Sequence, residues 1–382
     1  MKTFSDTFIK KHSSFKKYFI LLFLLVIPLL LNSCLDDKSV ELKVDSEKTD
    51  NGLMVVYPNS GNKLTIVDCN TFEIVKTIFV DTKDNLQILR MCLSSNKDYF
   101  ILCASSGPPF YSNYIISYNI AKDSVQNIFP TGLDSVSAPR LTAAFIPEKP
   151  NLIYLYSHNL GLYSIDFIKK DVHLISSEYS MPKEFYHSPN KRWILISKYF
   201  PGYENDYTEL QFYMANDGLY QVDFILNKND LDSLNIKDLE ISYDNKHLYV
   251  SYLLSQRRAV YQAAYLGSYN LDTKGKKSSH VMLPWSENPY YITYSAKRKE
   301  VYMVGAQDKF YVIDVSSEDY LIKTVIDLPG KIPSPSRILI RPDEKVAFVS
   351  CVYSNFVIAI DLDKNSILKK ISIEAPYLML LL

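Results

Sequence analysis

From Gly52 onward, short apolar runs alternate with polar turn residues, and no stretch sustains the period of an amphipathic helix. The pattern predicts strands. A strand end capped by an Asx residue recurs as Ile66-Val67-Asp68, Ser117-Tyr118-Asn119, Ser164-Ile165-Asp166, Ser268-Tyr269-Asn270, Val312-Ile313-Asp314 and Ala359-Ile360-Asp361. A degenerate copy, Tyr213-Met214-Ala215-Asn216, fills the one gap. Each copy leads into a short polar turn, which an Asx side chain starts by accepting a bond from the backbone two residues on.

Upstream of most copies lies a second signature of strand, polar turn and strand. Examples are Leu239-Glu240-Ile241-Ser242-Tyr243-Asp244 running into Leu248-Tyr249-Val250, and Ile338-Leu339-Ile340 running into Val346-Ala347-Phe348. Four strands in roughly 45–50 residues is the size of a propeller blade. Seven copies predict an all-β fold, a seven-bladed β-propeller of four-stranded blades over residues 52–382; six or eight blades is the alternative count. The first unit lacks its innermost strand, because Gly52–Tyr57 already matches a second strand. The missing piece is expected at Ala375–Leu382, which starts like the other inner strands (Asn288-Pro289-Tyr290, Ser334-Pro335-Ser336). The C-terminal strand is therefore expected to pair into the N-terminal blade, closing the ring and hiding a sheet edge.

These repeats resemble the YVTN-type propeller repeat, also seen in propellers of some haem and quinone dehydrogenases; the Trp-Asp pairs of WD40 blades and the Gly-Gly pairs of kelch blades are absent. The resemblance implies an architecture, and propellers host many unrelated sites.

Composition adds 30 Tyr and 19 Phe against only 11 Gly, which suits strands built from aromatic and β-branched residues. Lys+Arg and Asp+Glu balance at 42 each, so no overall field attracts nucleic acid. The first fifty residues differ. A basic stretch (Lys2, Lys10, Lys11, Lys16, Lys17) precedes an unbroken apolar run from Phe19 to Leu31, shorter than the ~20 residues of a membrane span. Leu31-Asn32-Ser33-Cys34 resembles the lipobox of bacterial lipoproteins, and Leu35-Asp36-Asp37-Lys38 the acidic stretch after the lipidated Cys in Bacteroidota surface lipoproteins. The resemblance implies a signal peptide over 1–33, acylation of Cys34 with chains of the palmitate kind, and an exported protein lipid-anchored at the outer membrane or cell surface. Residues 34–51, polar and without apolar periodicity, read as a flexible tether. Cys69, Cys92, Cys103 and Cys351 sit in or beside apolar runs without a disulfide framework, and read as buried thiols.

Propeller geometry puts the starts of the inner strands and the loops between second and third strands on one face. Three such loops, 105–111, 199–207 and 255–261, are long and aromatic. They nominate Tyr203, Tyr207 and Tyr261 as ligand-binding residues, joined by Trp285. Aligning the inner strands adds a candidate ring at the channel mouth: Arg90, Arg140, Glu184, Asp238, Tyr291, Arg337 and Tyr377. Mixed charge and aromatic groups suit a carbohydrate, a peptide or another envelope protein; salt bridges closing an ordinary mouth are the structural reading of the same residues. The expected function is non-catalytic binding. The alternative is a hydrolase or lactonase with a divalent ion held by Glu184 and Asp238, near Asn288. No haem-attachment CxxCH, GxSxG nucleophile elbow or phosphate-cradling glycine motif occurs, and no cofactor is expected. His187 reads as a core residue of an inner strand, and His247 as an exposed turn residue.

Overall fold

The computed structural model describes residues 52–382 except 59–61, 81–85, 95, 107–111, 133–141, 146–150, 158–160, 177–180, 188–192, 201–206, 215–220, 227–232, 245, 256–261, 272–275, 285–288, 306 and 330–334. The described residues form twenty-eight strands. In chain order they are β1 (Leu53–Pro58), β2 (Lys63–Asp68) and β3 (Ile74–Phe79); β4 (Gln87–Leu93), β5 (Tyr99–Ser105), β6 (Asn113–Asn119) and β7 (Ser124–Pro130). Then follow β8 (Thr142–Phe145), β9 (Leu152–Ser157), β10 (Gly161–Asp166) and β11 (Asp171–Ser176); β12 (Met181–His187), β13 (Trp193–Phe200), β14 (Tyr207–Met214) and β15 (Gln221–Leu226). Next are β16 (Ser233–Ile241), β17 (His247–Ser255), β18 (Gln262–Asn270) and β19 (Lys276–Met282); β20 (Pro289–Ser295), β21 (Glu300–Gly305), β22 (Lys309–Asp314) and β23 (Leu321–Asp327). The last are β24 (Pro335–Ile340), β25 (Val346–Cys351), β26 (Phe356–Asp361), β27 (Ser366–Ser372) and β28 (Pro376–Leu381).

These strands make seven four-stranded antiparallel sheets. Six are sequential: β4–β7, β8–β11, β12–β15, β16–β19, β20–β23 and β24–β27, called sheets two to seven. Sheet one has the order β28-β1-β2-β3, so residues from the two ends of the repeat region share one sheet, as the sequence leads one to expect. Val55 lies opposite Leu380, and Tyr57 opposite Leu378.

Burial follows position within a sheet. Second and third strands such as β21, β25 and β26 are buried almost throughout. They read as unbroken apolar runs because both faces are covered. Fourth strands are exposed: in β27 the one buried residue is Ile371. Side chains of β28 alternate between two cores. Leu378 and Leu380 join Phe100, Leu102 and Ala104 of sheet two, whereas Met379 and Leu381 join Phe348, Val357 and Ala359 of sheet seven. The first strands of successive sheets also touch: β4 contacts β28 and β8, β12 contacts β8 and β16, β20 contacts β16 and β24, and β24 contacts β28.

The repeated Asx residues do what their chemistry suggests. Asp68 Oδ1 accepts N–H bonds from Asn70 and Thr71, Asp166 from Ile168 and Lys169, and Asp361 from Asp363 and Lys364. Asn119 accepts from Lys122, and Asp314 from Ser316. Four residues after Asp68, Asn119, Asp166 and Asp361, the backbone turns left-handed at Phe72, Asp123, Lys170 and Asn365. In the degenerate copy the strand β14 ends at Met214, and Ala215 and Asn216 lie outside the described residues.

On the same face, turns after first strands clamp the next sheet. Arg341 donates to the carbonyl of Cys69 and the side chain of Asn70 in sheet one. Arg298 donates to the carbonyls of Glu344 and Leu362 and to Asp363 in sheet seven. The chain enters sheet one at this face, where the carbonyl of Gly52 accepts from Cys69 N–H.

Candidate functional site: a tyrosine cleft built on β-bulges

The opposite face carries the starts of the first strands, and there every first strand except the four-residue β8 has a register shift. Ile88 pairs with Ala104 but Arg90 with Cys103, leaving Leu89 unpaired. The same shift leaves out Lys183, Lys237, Tyr290, Ser336 and Tyr377. A β-bulge of this kind adds one residue and re-aims the side chains around it.

The residue paired just after each bulge is one of those nominated from sequence: Arg90 (opposite Cys103), Glu184 (Ser197), Asp238 (Ser251), Tyr291 (Val304) and Arg337 (Ser350). Two candidates fall outside this series. In sheet one the ring residue is Leu378, opposite Tyr57, and Tyr377 is the bulged residue. In sheet three Thr142, opposite Tyr156, takes the place expected of Arg140, and Arg140 itself lies outside the described residues. Proline marks the right register: Pro182, Pro289, Pro335 and Pro376 each stand two residues before a ring position.

Three consecutive bulges, from sheets six, seven and one, converge on a cleft of about 360 Å³. Tyr290, Ser336 and Tyr377 line it, with Tyr291 and with Val352 and Tyr353 from the β25–β26 loop. Tyr353 is 72% exposed and free to meet a ligand, whereas Tyr290, Tyr291 and Tyr377 are half-buried. Ser336 is buried; its Oγ shares a 2.7 Å bond with Ser350 Oγ and donates toward the carbonyls of Pro376 and Tyr377. It thereby ties sheet seven to sheet one under the cleft. The guanidinium of Arg337 lies over the Tyr291 ring, 4.6 Å from its centroid, a cation–π contact that fixes both side chains.

Asp238 works differently. Its carboxylate is buried and Oδ2 accepts the N–H of Ile292 at 2.8 Å, joining β16 to the first strand of the next sheet. Two residues on, half-buried Glu240 is pushed up to about 8 by burial and then by the charge of Asp238. Glu184 and Arg90 hold their ring positions in the backbone pairing, and their side-chain contacts lie outside what is described. Among the described residues, no three His, Cys, Asp or Glu side chains are grouped to hold a metal ion.

Of the loop candidates, Tyr207 opens β14 opposite Phe200 at the cleft-bearing face. Tyr203, Tyr261 and Trp285 lie outside the described residues, as does Asn288. Tyr290 and Tyr353 were not anticipated: Tyr353 sits in a loop of ordinary length, and Tyr290 beside the residue that was chosen. His247 is half-buried and stacks on Tyr249, so it is less open than its turn position suggests. His187 ends β12. Cys69, Cys103 and Cys351 are buried free thiols, Cys92 is half-buried and free, and burial raises all three thiols of Cys69, Cys92 and Cys351.

Comparison with known proteins supports the fold. No family model matches the chain, and no curated protein matches it. Among solved structures it is similar to the hydrazine synthase of Kuenenia stuttgartiensis, with a TM-score of 0.62 and 15% identity over 82% of this chain and 93% of that one. It is also similar to the dihydro-heme d1 dehydrogenase NirN in complex with DHE (TM-score 0.54, 11% identity, 87% of this chain and 75% of that one). A chain of the mitotic checkpoint complex gives a TM-score of 0.55 at 10% identity, covering 85% and 87%. Proteins this different in name share a scaffold with the chain, and at such identities the likeness concerns the fold alone.

Proposed function

We propose that this chain is a lipid-anchored, extracytoplasmic binding protein whose seven sheets are the blades of a closed β-propeller, with the tyrosine cleft as its ligand site. The series of contacts among first strands, which runs from β28 through β4, β8, β12, β16, β20 and β24 back to β28, supports the ring. The cleft carries the functional reading. Four tyrosines from three sheets present rigid amphipathic surface around a floor whose polar atoms are already bonded to one another. That arrangement serves capture of a carbohydrate, a peptide or an envelope-protein segment.

The remaining parts of the reading come from the sequence: residues 1–33 as a signal peptide, acylated Cys34, and 34–51 as a tether to the outer membrane or cell surface. A folded Tyr353→Ala/Tyr377→Ala double variant should lose capture of the ligand; undiminished capture would refute the site. A Cys34→Ala variant should move from the membrane fraction to the soluble one, and one that stays membrane-bound would refute the anchor.

A further inference from the structure

We propose that the tyrosine cleft holds an uncharged, proline-rich segment of a partner protein in the polyproline II conformation. This takes the cleft as the binding site and names its occupant. Among the described residues the lining consists of four tyrosines with Pro335, Ser336 and Val352, and carries no charged side chain. A charged group entering it would give up hydration without meeting a counter-charge, so the cleft favours a neutral occupant. The side-chain polar groups left for a ligand are phenols. Tyr290, Tyr353 and Tyr377 make no side-chain hydrogen bond, ion pair or ring contact among the described residues. Tyr291 is engaged by Arg337 and serves as a wall. The Ser336 hydroxyl is taken up by Ser350 and by the carbonyls of Pro376 and Tyr377. Three hydroxyl donors therefore stand beside three ring faces that no other aromatic side chain covers.

The main chain around the cleft does not suit a segment that adds as a strand. Pro289, Pro335 and Pro376 open β20, β24 and β28 and have no N–H to donate. The bulges that follow them interrupt each strand again. Strand addition needs a regular row of donors and acceptors, and that row is broken at all three starts. A proline-rich segment needs none. Its helix has no internal hydrogen bonds, its carbonyls are acceptors for the phenols, and proline has no donor to leave unpaired. The rigid apolar rings pack on tyrosine faces, and a helix already formed in solution loses little entropy on docking. A pyranose would also stack, but each ring brings several hydroxyls that both donate and accept. The described lining holds no amide or carboxylate side chain to answer them. At about 360 Å³ the cleft stands near the small end of the ~300–1,000 Å³ usual for ligand sites, so it grips a short part of a segment that runs on past it.

Titration calorimetry of the full mature chain with a capped oligoproline, a capped glycine-serine peptide of equal length and a neutral gluco-oligosaccharide tests this. The oligoproline should bind and the glycine-serine peptide should not, and added salt should change the affinity little, since no charges pair. Tyr353→Ala should abolish binding. Tyr377→Phe keeps the ring and should weaken it about two- to tenfold, the loss of one neutral hydrogen bond. No oligoproline binding, or both peptides bound alike, overturns the proposal. Affinity that falls steeply with salt overturns the neutral class. Tyr377→Phe binding like the parent overturns the match of phenols to carbonyls on which the choice of proline stands. The gluco-oligosaccharide bound in place of oligoproline, and lost in Tyr353→Ala, overturns the occupant but leaves the cleft as a binding site. Oligoproline binding untouched by Tyr353→Ala overturns both the occupant and the site.

Discussion

Replacing Asp238 separates a structural carboxylate from a ligand-binding one. The side chain is buried, and Oδ2 receives the amide of Ile292 from the neighbouring sheet. Asp238→Ala removes a hydrogen bond to a charged group, worth about 1.5–3 kcal/mol, and strands a buried N–H at a cost of about 1–3 kcal/mol. These overlap, so the expected loss is about 2–4 kcal/mol. Asp238→Asn keeps an acceptor oxygen and should lose less than half of that. The second consequence is electrostatic: without the Asp238 charge, one of the two causes holding Glu240 up near 8 is gone, and Glu240 should titrate lower in both variants. Urea unfolding followed by intrinsic fluorescence, with m unchanged, gives the first quantity. A carboxyl titration by NMR gives the second. An Asp238→Ala protein as stable as the parent would refute the inter-sheet role and return Asp238 to the ligand candidates.

Three further outcomes are expected. A chain ending at Glu374 lacks β28, which uncovers the edge of β1 and removes Leu378 and Met379 from two cores at about 1.5–3 kcal/mol each; it should aggregate or expose dye-binding apolar surface, and a monomeric, cooperatively folding truncation would refute the pairing. Folded Glu240 keeps its proton to about pH 8, whereas in the unfolded chain it loses it near 4.5, so the native state binds more protons between those values and stability falls as pH rises through them; Glu240→Gln should flatten that slope in unfolding midpoints at pH 5, 7 and 8.5, and an unchanged slope would refute the assignment. The buried thiols Cys69, Cys103 and Cys351 should resist a thiol-specific chromophore in the native protein and react once it is unfolded, with fast native labelling contradicting their burial.

The architecture was legible where local chemistry repeats. An Asx residue at a strand end writes its own turn, so Asp68, Asn119, Asp166, Asp314 and Asp361 mark the sheets before any contact is known. The apolar run Leu378–Leu382 reveals an inner strand because leaving such a run exposed would be costly in water. The site was less legible. A bulge shifts register by one residue without a fixed residue type: Leu89, Lys183, Lys237, Tyr290, Ser336 and Tyr377 share no chemistry. Spacing alone therefore does not distinguish the bulged Tyr377 and Tyr290 from the paired residues beside them. Length alone drew attention to the inserted loops, and Tyr353, in a short loop, gave no such signal.

The seam between sheets seven and one is where folding and binding meet. Ser336 spends its hydroxyl on Ser350 and on the carbonyls of Pro376 and Tyr377, so the bond that holds β28 against β24 also fixes the backbone that carries Tyr377. A ligand lying across Tyr290, Tyr353 and Tyr377 bridges three sheets beside β28, the strand that completes sheet one. Whatever binds the cleft therefore favours the folded state by mass action, with the gain rising as the logarithm of ligand concentration once sites fill. Ser336→Ala should weaken both properties together, loosening the seam and lowering affinity, whereas Tyr353→Ala, on an exposed loop, should lower affinity alone. Equal stability losses in the two variants would show that the cleft and the seam are not mechanically joined.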